Sequence, residues 1–147
     1  MLSRSNRILA VVVGSVAVLA VIAAVVAATR PPPTLDPATP DGAVQIYLRA
    51  MLEGDTETAT ARLSSSTGCD EGDVASAFVT NSARIVLVDS TVDGATAIVT
   101  VEIIESSGSG PFEGSEFSHE ERFTLRNEEG SWLLVDEPWP LYFCDRS

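Results

Sequence analysis

Hydrophobic and polar positions divide the chain into an apolar run, a proline-rich stretch and a longer mixed region. Residues 8–28 contain Val, Ala, Leu and Ile with only Gly14 and Ser15 as breaks. At about 1.5 Å rise per residue this run makes a helix of about 31 Å, which is enough to cross a hydrocarbon core of about 30 Å. The run therefore predicts a transmembrane helix over 8–28.

Arginine positions predict the topology of this segment. Arg4 and Arg7 precede the apolar run, and basic residues stay on the cytoplasmic side of a membrane. We therefore expect a cytoplasmic N-terminus over 1–7 and an extracytoplasmic domain over 41–147, held at the cell membrane by a single pass. A cleavable signal peptide is the alternative, since Val26-Ala27-Ala28 offers a small-residue cleavage site, although the apolar centre of such peptides has only about 7–15 residues.

A proline-rich linker follows over residues 29–40. Five of its twelve residues are Pro. Such a composition favours the extended polyproline II conformation, at about 3.1 Å per residue. The segment is predicted to be a spacer, and a ligand for a proline-binding groove is the alternative interpretation.

Helical periodicity begins where the linker ends. Apolar residues at i, i+3, i+4, i+7 and i+8 predict a helix that buries one face, with Thr39 as its N-cap and Gly54 as its stop. Asp55 is expected to cap a second helix reaching about Leu63, and Asp70 a third. The inward positions are Val44, Tyr47, Leu48, Met51 and Leu52 on the first helix, and Val74, Ala77 and Phe78 on the third.

Alternation of apolar and polar residues predicts strands in the rest of the chain. A turn at Asp93-Gly94 between two β-branched runs is a hairpin signal, and residues 127–130 form a second turn. Helices followed by strands indicate an α+β fold, with the helices packed on one face of a curved antiparallel sheet. The four predicted strands cover residues 84–91, 95–105, 116–126 and 131–137.

Several of these segments resemble the NTF2-like superfamily. They are the opening helix TPDGAVQIYLRAMLEGD with its Gly54-Asp55 end, the long strands after the helices, and the closing FTLRNEEGSWLLVD, in which Trp132 begins the last strand. The resemblance covers about 100 residues and implies the cone-shaped fold, NTF2-like or cystatin-like, of ketosteroid isomerase and SnoaL-like cyclases. It is closer to short membrane-anchored actinobacterial envelope proteins, and no catalytic residue of the enzymes can be matched here.

Charge and composition exclude several kinds of partner. Acids outnumber bases 21 to 9, the net charge is −12, and there is no lysine. A nucleic-acid partner is therefore not expected, because phosphate binding needs a basic face. One His and two Cys are too few for the common zinc sites, and the acids lack EF-hand spacing. We expect neither a metal nor a cofactor.

The two cysteines, Cys69 and Cys144, are predicted to form a disulfide. Disulfides persist in extracytoplasmic space and are rare in the cytosol, so the pair fits the predicted topology. Two free thiols or a redox-active pair are the alternatives. Redox-active pairs usually occur as Cys-X-X-Cys with a lowered thiol pKa, and this spacing is absent.

The third predicted strand carries the candidate chemistry. Alternation places His119 and Glu121 on one face with large apolar groups, where they could line a pocket and act as an acid–base pair. The alternative is a solvated strand end, which the nearby acids favour. The pocket residues would be Phe117, His119, Glu121 and Phe123, with Leu125 on the same face, and the nearby acids are Glu113, Glu116 and Glu120.

These observations predict a binding module and not an enzyme. We expect a non-catalytic interaction domain of the cell envelope that takes a small apolar ligand or an envelope protein partner, for example as an accessory subunit of a transport system. The alternative function is a small isomerase or cyclase that uses His119 and Glu121. Trp139, between two prolines, is expected to pack against the sheet.

Overall fold

A computed structural model describes residues 4–29, 33–77, 79, 83–107, 115–142 and 144. Side chains are described at these positions except 4–10, 26–29, 106–107 and 115. The chain divides into two compact units, Met1–Pro33 and Thr34–Ser147, and the second is called the α+β domain below. Two residues named above, Phe78 and Glu113, lie outside the described set.

The first unit contains helix α1, Arg4–Thr29. The predicted transmembrane helix over 8–28 is contradicted, because no helix within the described residues is both long enough and apolar enough to cross a membrane.

The α+β domain begins with three α-helices and a 3-10 turn. Helix α2, Pro40–Glu53, has Thr39 as its N-cap, and the Gly42 amide donates to Thr39 Oγ1 at 3.1 Å. Gly54 ends this helix in the left-handed region, at φ 73°. Both features confirm the prediction from the sequence. The remaining helical elements are α3, Thr56–Thr60, the 3-10 turn Ser65–Thr67, and α4, Glu71–Ser76.

Aspartate side chains cap the N-termini of the short helices α3 and α4. The Thr58 amide donates to Asp55 Oδ1 at 3.0 Å. Asp70 accepts from the amide of Asp73, whose carboxylate accepts in turn from the Asp70 amide, which makes a reciprocal capping box. Such caps satisfy the free N–H groups of a first turn, so helices too short to be stable by themselves can form here.

Four strands follow and form one antiparallel sheet in the order β1-β2-β3-β4. This sheet and the helices before it confirm the predicted α+β fold. The first hairpin turns at Gly94-Ala95, one residue later than predicted, with Gly94 at φ 59°. Glycine at the first loop position suits a tight hairpin, because the backbone there has positive φ. The strands are β1, Arg84–Asp93, β2, Thr96–Ser107, β3, Ser115–Glu128, and β4, Ser131–Leu134.

The core lies between α2 and one face of the sheet, which we call the inner face. Tyr47 of α2 is fully buried and packs edge-on against Phe123 of β3, with ring centroids 6.3 Å apart. Trp139 is buried in the same core, as predicted. The inner-face residues that are buried on the sheet are Ala97, Val99, Val101, Ile103, Phe123, Leu125, Trp132 and Leu134.

One long-range pairing accounts for two of the differences between predicted and observed boundaries. The second helix ends at Thr60 and not near Leu63, because Leu63 forms a parallel bridge with Leu134. Strand β4 ends at Leu134 and not at Glu137. The Ser64 amide donates to the Leu134 carbonyl at 2.8 Å, and the Leu134 amide donates to the Arg62 carbonyl at 2.9 Å. These bonds occupy backbone groups that a longer helix would have used.

The end of the predicted linker belongs to the α+β domain. The Leu35 amide donates to Gln45 Oε1 at 2.8 Å, and the Asp36 carbonyl accepts from both the amide and the hydroxyl of Thr39. Gly42 allows the Asp36 carbonyl to lie against α2, because a Cβ at that position would overlap the carbonyl oxygen. Residues 34–39 are therefore folded onto α2 and are not part of an extended spacer.

Candidate functional site

The predicted pocket residues share one face of β3, as the alternation required. Ladder pairing places His119 beside Ile103 and Glu121 beside Val101, both of which are buried on the inner face. His119 Nε2 lies 3.4 Å from Glu121 Oε1, and their side chains are 23% and 21% exposed. The pair therefore lies where the core gives way to solvent, and both side chains are accessible to water.

A third polar group, the Tyr142 hydroxyl, joins this pair and was not predicted from the sequence. The Tyr142 hydroxyl donates to Glu121 Oε1 at 2.8 Å. Partial burial, this hydrogen bond and the negative charges of Glu121 and Glu105 raise the pKa of Tyr142 to about 12, because each of them disfavours the phenolate. The three groups, His119, Glu121 and Tyr142, are called the polar cluster below.

The tail that carries Tyr142 is fixed to the helices by the predicted disulfide. Cys69 and Cys144 are bonded across a sequence separation of 75 residues, with their Cα atoms 5.0 Å apart. Both cysteines are partly buried against the hydrophobic core. The bond therefore confirms the predicted pairing, and it helps to hold the segment after β4 beside the middle of β3, where Tyr142 reaches Glu121.

The two aromatic residues of the predicted pocket lie in different environments. Phe117 is 64% exposed and stacks at a tilt on His119, with centroids 5.6 Å apart. Phe123 is fully buried against Tyr47. A pocket shared by all four predicted residues would need both rings at one cavity wall, but one ring belongs to the core and the other to the surface.

Side chains of the domain itself fill the inner face beneath α2. Tyr47, Phe123, Ile103, Leu125 and Val99 are all fully buried. The Tyr47 hydroxyl has no hydrogen-bond partner among the described residues, and burial raises its pKa far above the usual value. One orphaned hydroxyl in a packed apolar layer does not by itself make a ligand site.

Among the described residues, two of the clefts lie away from the polar cluster. The larger, of about 710 Å³, opens to solvent and is lined by Arg62, Glu128, Glu129 and neighbouring residues. The smaller, of about 160 Å³, lies between α2 and α4 beside Met51 and Val74. Carboxylates on the wall of the first disfavour an anion, and the second is below the usual size of a small-molecule site, about 300–1,000 Å³. Within the described residues, no group of three or more His, Cys, Asp or Glu could hold a metal ion.

The opposite face of the sheet, which we call the outer face, carries apolar side chains in solvent. Ile98 at its centre is 40% exposed and Val86 on β1 is 41% exposed. Ile98 pairs with Thr91 on one side and with Thr124 on the other, so a row of small, uncharged side chains crosses three strands. Glu102 and Glu120 are paired with each other on the same face, which gives it an acidic margin.

Comparisons with known proteins identify a fold and not a family. No family model and no curated protein matches the chain. A solved structure of a SEC-C motif containing protein from Rhodopseudomonas palustris has a TM-score of 0.53 at 18% identity, over 70% of this chain and 80% of that one. The association domain of C. elegans CaMKII has a TM-score of 0.48 at 16% identity, over 63% and 85%. The first likeness shows a shared α+β fold.

Proposed function

We propose that the α+β domain is a non-catalytic protein-binding module that uses the outer face of its sheet. The observation that carries this proposal is the contrast between the two faces of β2. Val99, Val101 and Ile103 are buried beneath α2, whereas Ile98 on the other face is 40% exposed. A concave apolar site would need free volume on the inner face, but that volume is taken by the domain's own core.

The chemistry of the outer face specifies the kind of partner. Its centre is formed by Ile98, Thr100 and Thr124, with Arg122 and Arg126 on either side of Thr124, and one margin carries Glu102 and Glu120. A partner surface with an apolar centre, basic groups facing the two glutamates and acidic groups facing the two arginines fits this pattern, since complementary charges steer association and fix the orientation of a complex. The net charge of −12 favours a partner that is basic overall.

An oxidising compartment is part of the proposal. The Cys69–Cys144 disulfide supports it, because cysteine thiols are kept reduced in most cytosols and rarely form disulfides there. The NTF2-like assignment is supported by the order of elements and by the Gly54-Asp55 helix end. A role as an accessory subunit of an envelope transport system stays a prediction from the sequence.

A photo-crosslinking residue in place of Ile98 tests the binding surface. It should identify a protein partner in intact cells, and the purified partner can then be titrated against three chains. Ile98→Lys is expected to weaken binding about tenfold or more, as a central interface residue does. Phe117→Lys, which changes an exposed aromatic on the other face, is the matched control and should bind within about twofold of the parent. Equal losses in the two variants would contradict the proposal.

A small isomerase or cyclase is the second candidate, and the polar cluster favours it. Glu121 could accept a proton from a bound substrate while Tyr142, already 2.8 Å away, donates a hydrogen bond to it. Against this, Glu121 is also within 3.4 Å of His119, and both side chains are partly exposed to solvent. Glu121→Gln and His119→Asn separate the two functions, because they would abolish turnover but leave binding at the outer face unchanged.

A further inference from the structure

Strand β1 forms a long edge of the sheet with apolar side chains in solvent. It has ten residues and pairs with β2 on one side, and no strand of the described residues pairs with its other side. Val86, Leu87, Val88 and Val92 are all exposed. Edge strands attract further strands through their free N–H and C=O groups, and charged side chains, proline, β-bulges or covering elements limit this. β1 contains no proline, and its charged residues are Arg84, Asp89 and Asp93.

The residues of β1 are complementary to a second copy of the same strand. In a symmetric antiparallel pair, Arg84 lies opposite Asp93, Ile85 opposite Val92, Val86 opposite Thr91, and Leu87 opposite Ser90. Arg84 of each copy then meets Asp93 of the other, three further pairs bring together apolar or small side chains, and Val88 lies opposite Asp89 at the centre. Such cross-strand pairs are the units that stabilise a sheet.

A β-bulge makes this register possible. The pairing of β1 with β2 shifts by one residue between Leu87 and Asp89, so Val88 is the extra residue. Ile85 and Leu87 before the bulge pair with inner-face residues of β2, and Ser90 and Val92 after it do the same. The symmetric register pairs each even-numbered residue with an odd-numbered residue of the second copy. In a regular strand the side chains of two such residues would point to opposite faces of the joined sheet, because side chains alternate along a strand. With the bulge, opposed residues share a face.

We propose that two copies of this chain associate through their β1 strands, in the antiparallel register that pairs Arg84 with Asp93 of the second copy. The two four-stranded sheets become one continuous sheet, and the outer faces of the two copies lie side by side. The occupant is a second copy because both ends of the strand are matched in charge to each other. This inference does not rest on the proposed function, since an enzyme could dimerise in the same way.

A charge exchange tests the register in the full-length chain. Sedimentation velocity should show a concentration-dependent dimer for the parent. Arg84→Asp or Asp93→Arg alone places like charges opposite each other twice and should weaken the dimer about tenfold or more. The double variant R84D/D93R restores both pairs and should return to within about threefold of the parent. Arg49→Asp, on the exposed side of α2, is the control and should have no effect.

The same experiment separates this contact from other modes of association. Self-association through α1 would be insensitive to all of these variants, and that result overturns the proposal. A parent chain that is monomeric at its highest soluble concentration also overturns it. The proposal is also overturned if the double variant dimerises as weakly as the single variants while its circular dichroism and tryptophan fluorescence remain those of the parent.

A photo-crosslink gives a second test that needs no change of charge. A benzophenone side chain in place of Val86 should form a covalent dimer whose crosslinked peptide from the second copy contains Thr91. Mass spectrometry of the digested dimer locates this peptide. A crosslink to any other region, or a covalent dimer that forms equally well from a benzophenone at position 49, would contradict the register.

Discussion

Removing the Cys69–Cys144 disulfide is expected to destabilise the α+β domain strongly. The bond closes a loop of 75 residues, and the perturbation is the double variant Cys69→Ala/Cys144→Ala, which leaves no free thiol. Both cysteines are partly buried against the core, and Trp139 and Leu141 of the same tail are buried in it. The variant should keep the same sheet but unfold at a lower denaturant concentration.

The size of the effect follows from the length of the loop. The chain-entropy relation gives about 4.5 kcal/mol for a closed loop of this length at 25 °C. This is an upper value, since the reduced chain retains structure and measured effects are typically about 2–4 kcal/mol. Small domains have a total stability of about 5–15 kcal/mol, so the loss is a large share of it. The melting temperature should fall by about 10–20 °C.

Tryptophan fluorescence during urea unfolding measures this loss. The chain has two tryptophans, Trp132 and Trp139, and both are buried in the core of the domain. The parent chain in reducing buffer is the control, because it should match the double variant in midpoint and slope. A double variant that unfolds within about 0.5 kcal/mol of the oxidised parent would refute the reasoning.

Three further predictions concern the core, a helix end and the polar cluster. Phe123→Ala should lower the free energy of unfolding by about 3–5 kcal/mol through loss of a buried ring. Phe117→Ala should change the free energy of unfolding by less than about 0.5 kcal/mol. Equal effects of the two variants in urea unfolding would contradict the assigned burial. Gly54→Ala should cost about 1 kcal/mol, because φ is 73° and a Cβ disfavours that region, and Gly54→Asn should cost less in the same assay. Absorbance titration at 295 nm should give Tyr142 a pKa near 12. The raised pKa stabilises the fold below pH 10, and this contribution is lost between pH 10 and 12. Glu121→Gln should lower the pKa of Tyr142, and an unchanged titration midpoint would argue against the hydrogen bond.

The sequence predicted well those features that depend on neighbouring residues. Helix α2 could be placed from its cap at Thr39, its apolar face and its stop at Gly54, because each signal acts within a few residues. The short helix α4 was placed by Asp70 in the same way. The strands were also recognised from alternation, although β3 extends two residues further than predicted, to Glu128, because it continues to pair with β4.

Features that depend on distant residues were missed. The bridge between Leu63 and Leu134 shortened both a helix and a strand, and no local pattern indicates it. Tyr142 was not among the predicted pocket residues, and its hydrogen bond to Glu121 could not be foreseen. The signal that was available is the disulfide itself, since fixing Cys144 beside Cys69 restricts where a side chain two residues earlier can lie. The bulge at Val88 is similarly invisible to alternation, because β1 has apolar residues on both faces.

Isoleucine methyl NMR gives the most direct test of the claim that the domain binds through the outer face of its sheet. Ile98 and Ile104 point to that face, whereas Ile103 pairs beside His119 and Ile85 pairs beside Ile103 on the inner face. Addition of the purified partner protein that photo-crosslinking identifies should shift and broaden the methyl signals of Ile98 and Ile104 and leave those of Ile85 and Ile103 unchanged. Shifts at Ile103 and Ile85 with Ile98 unchanged would contradict the account and indicate a ligand bound between the helices and the sheet.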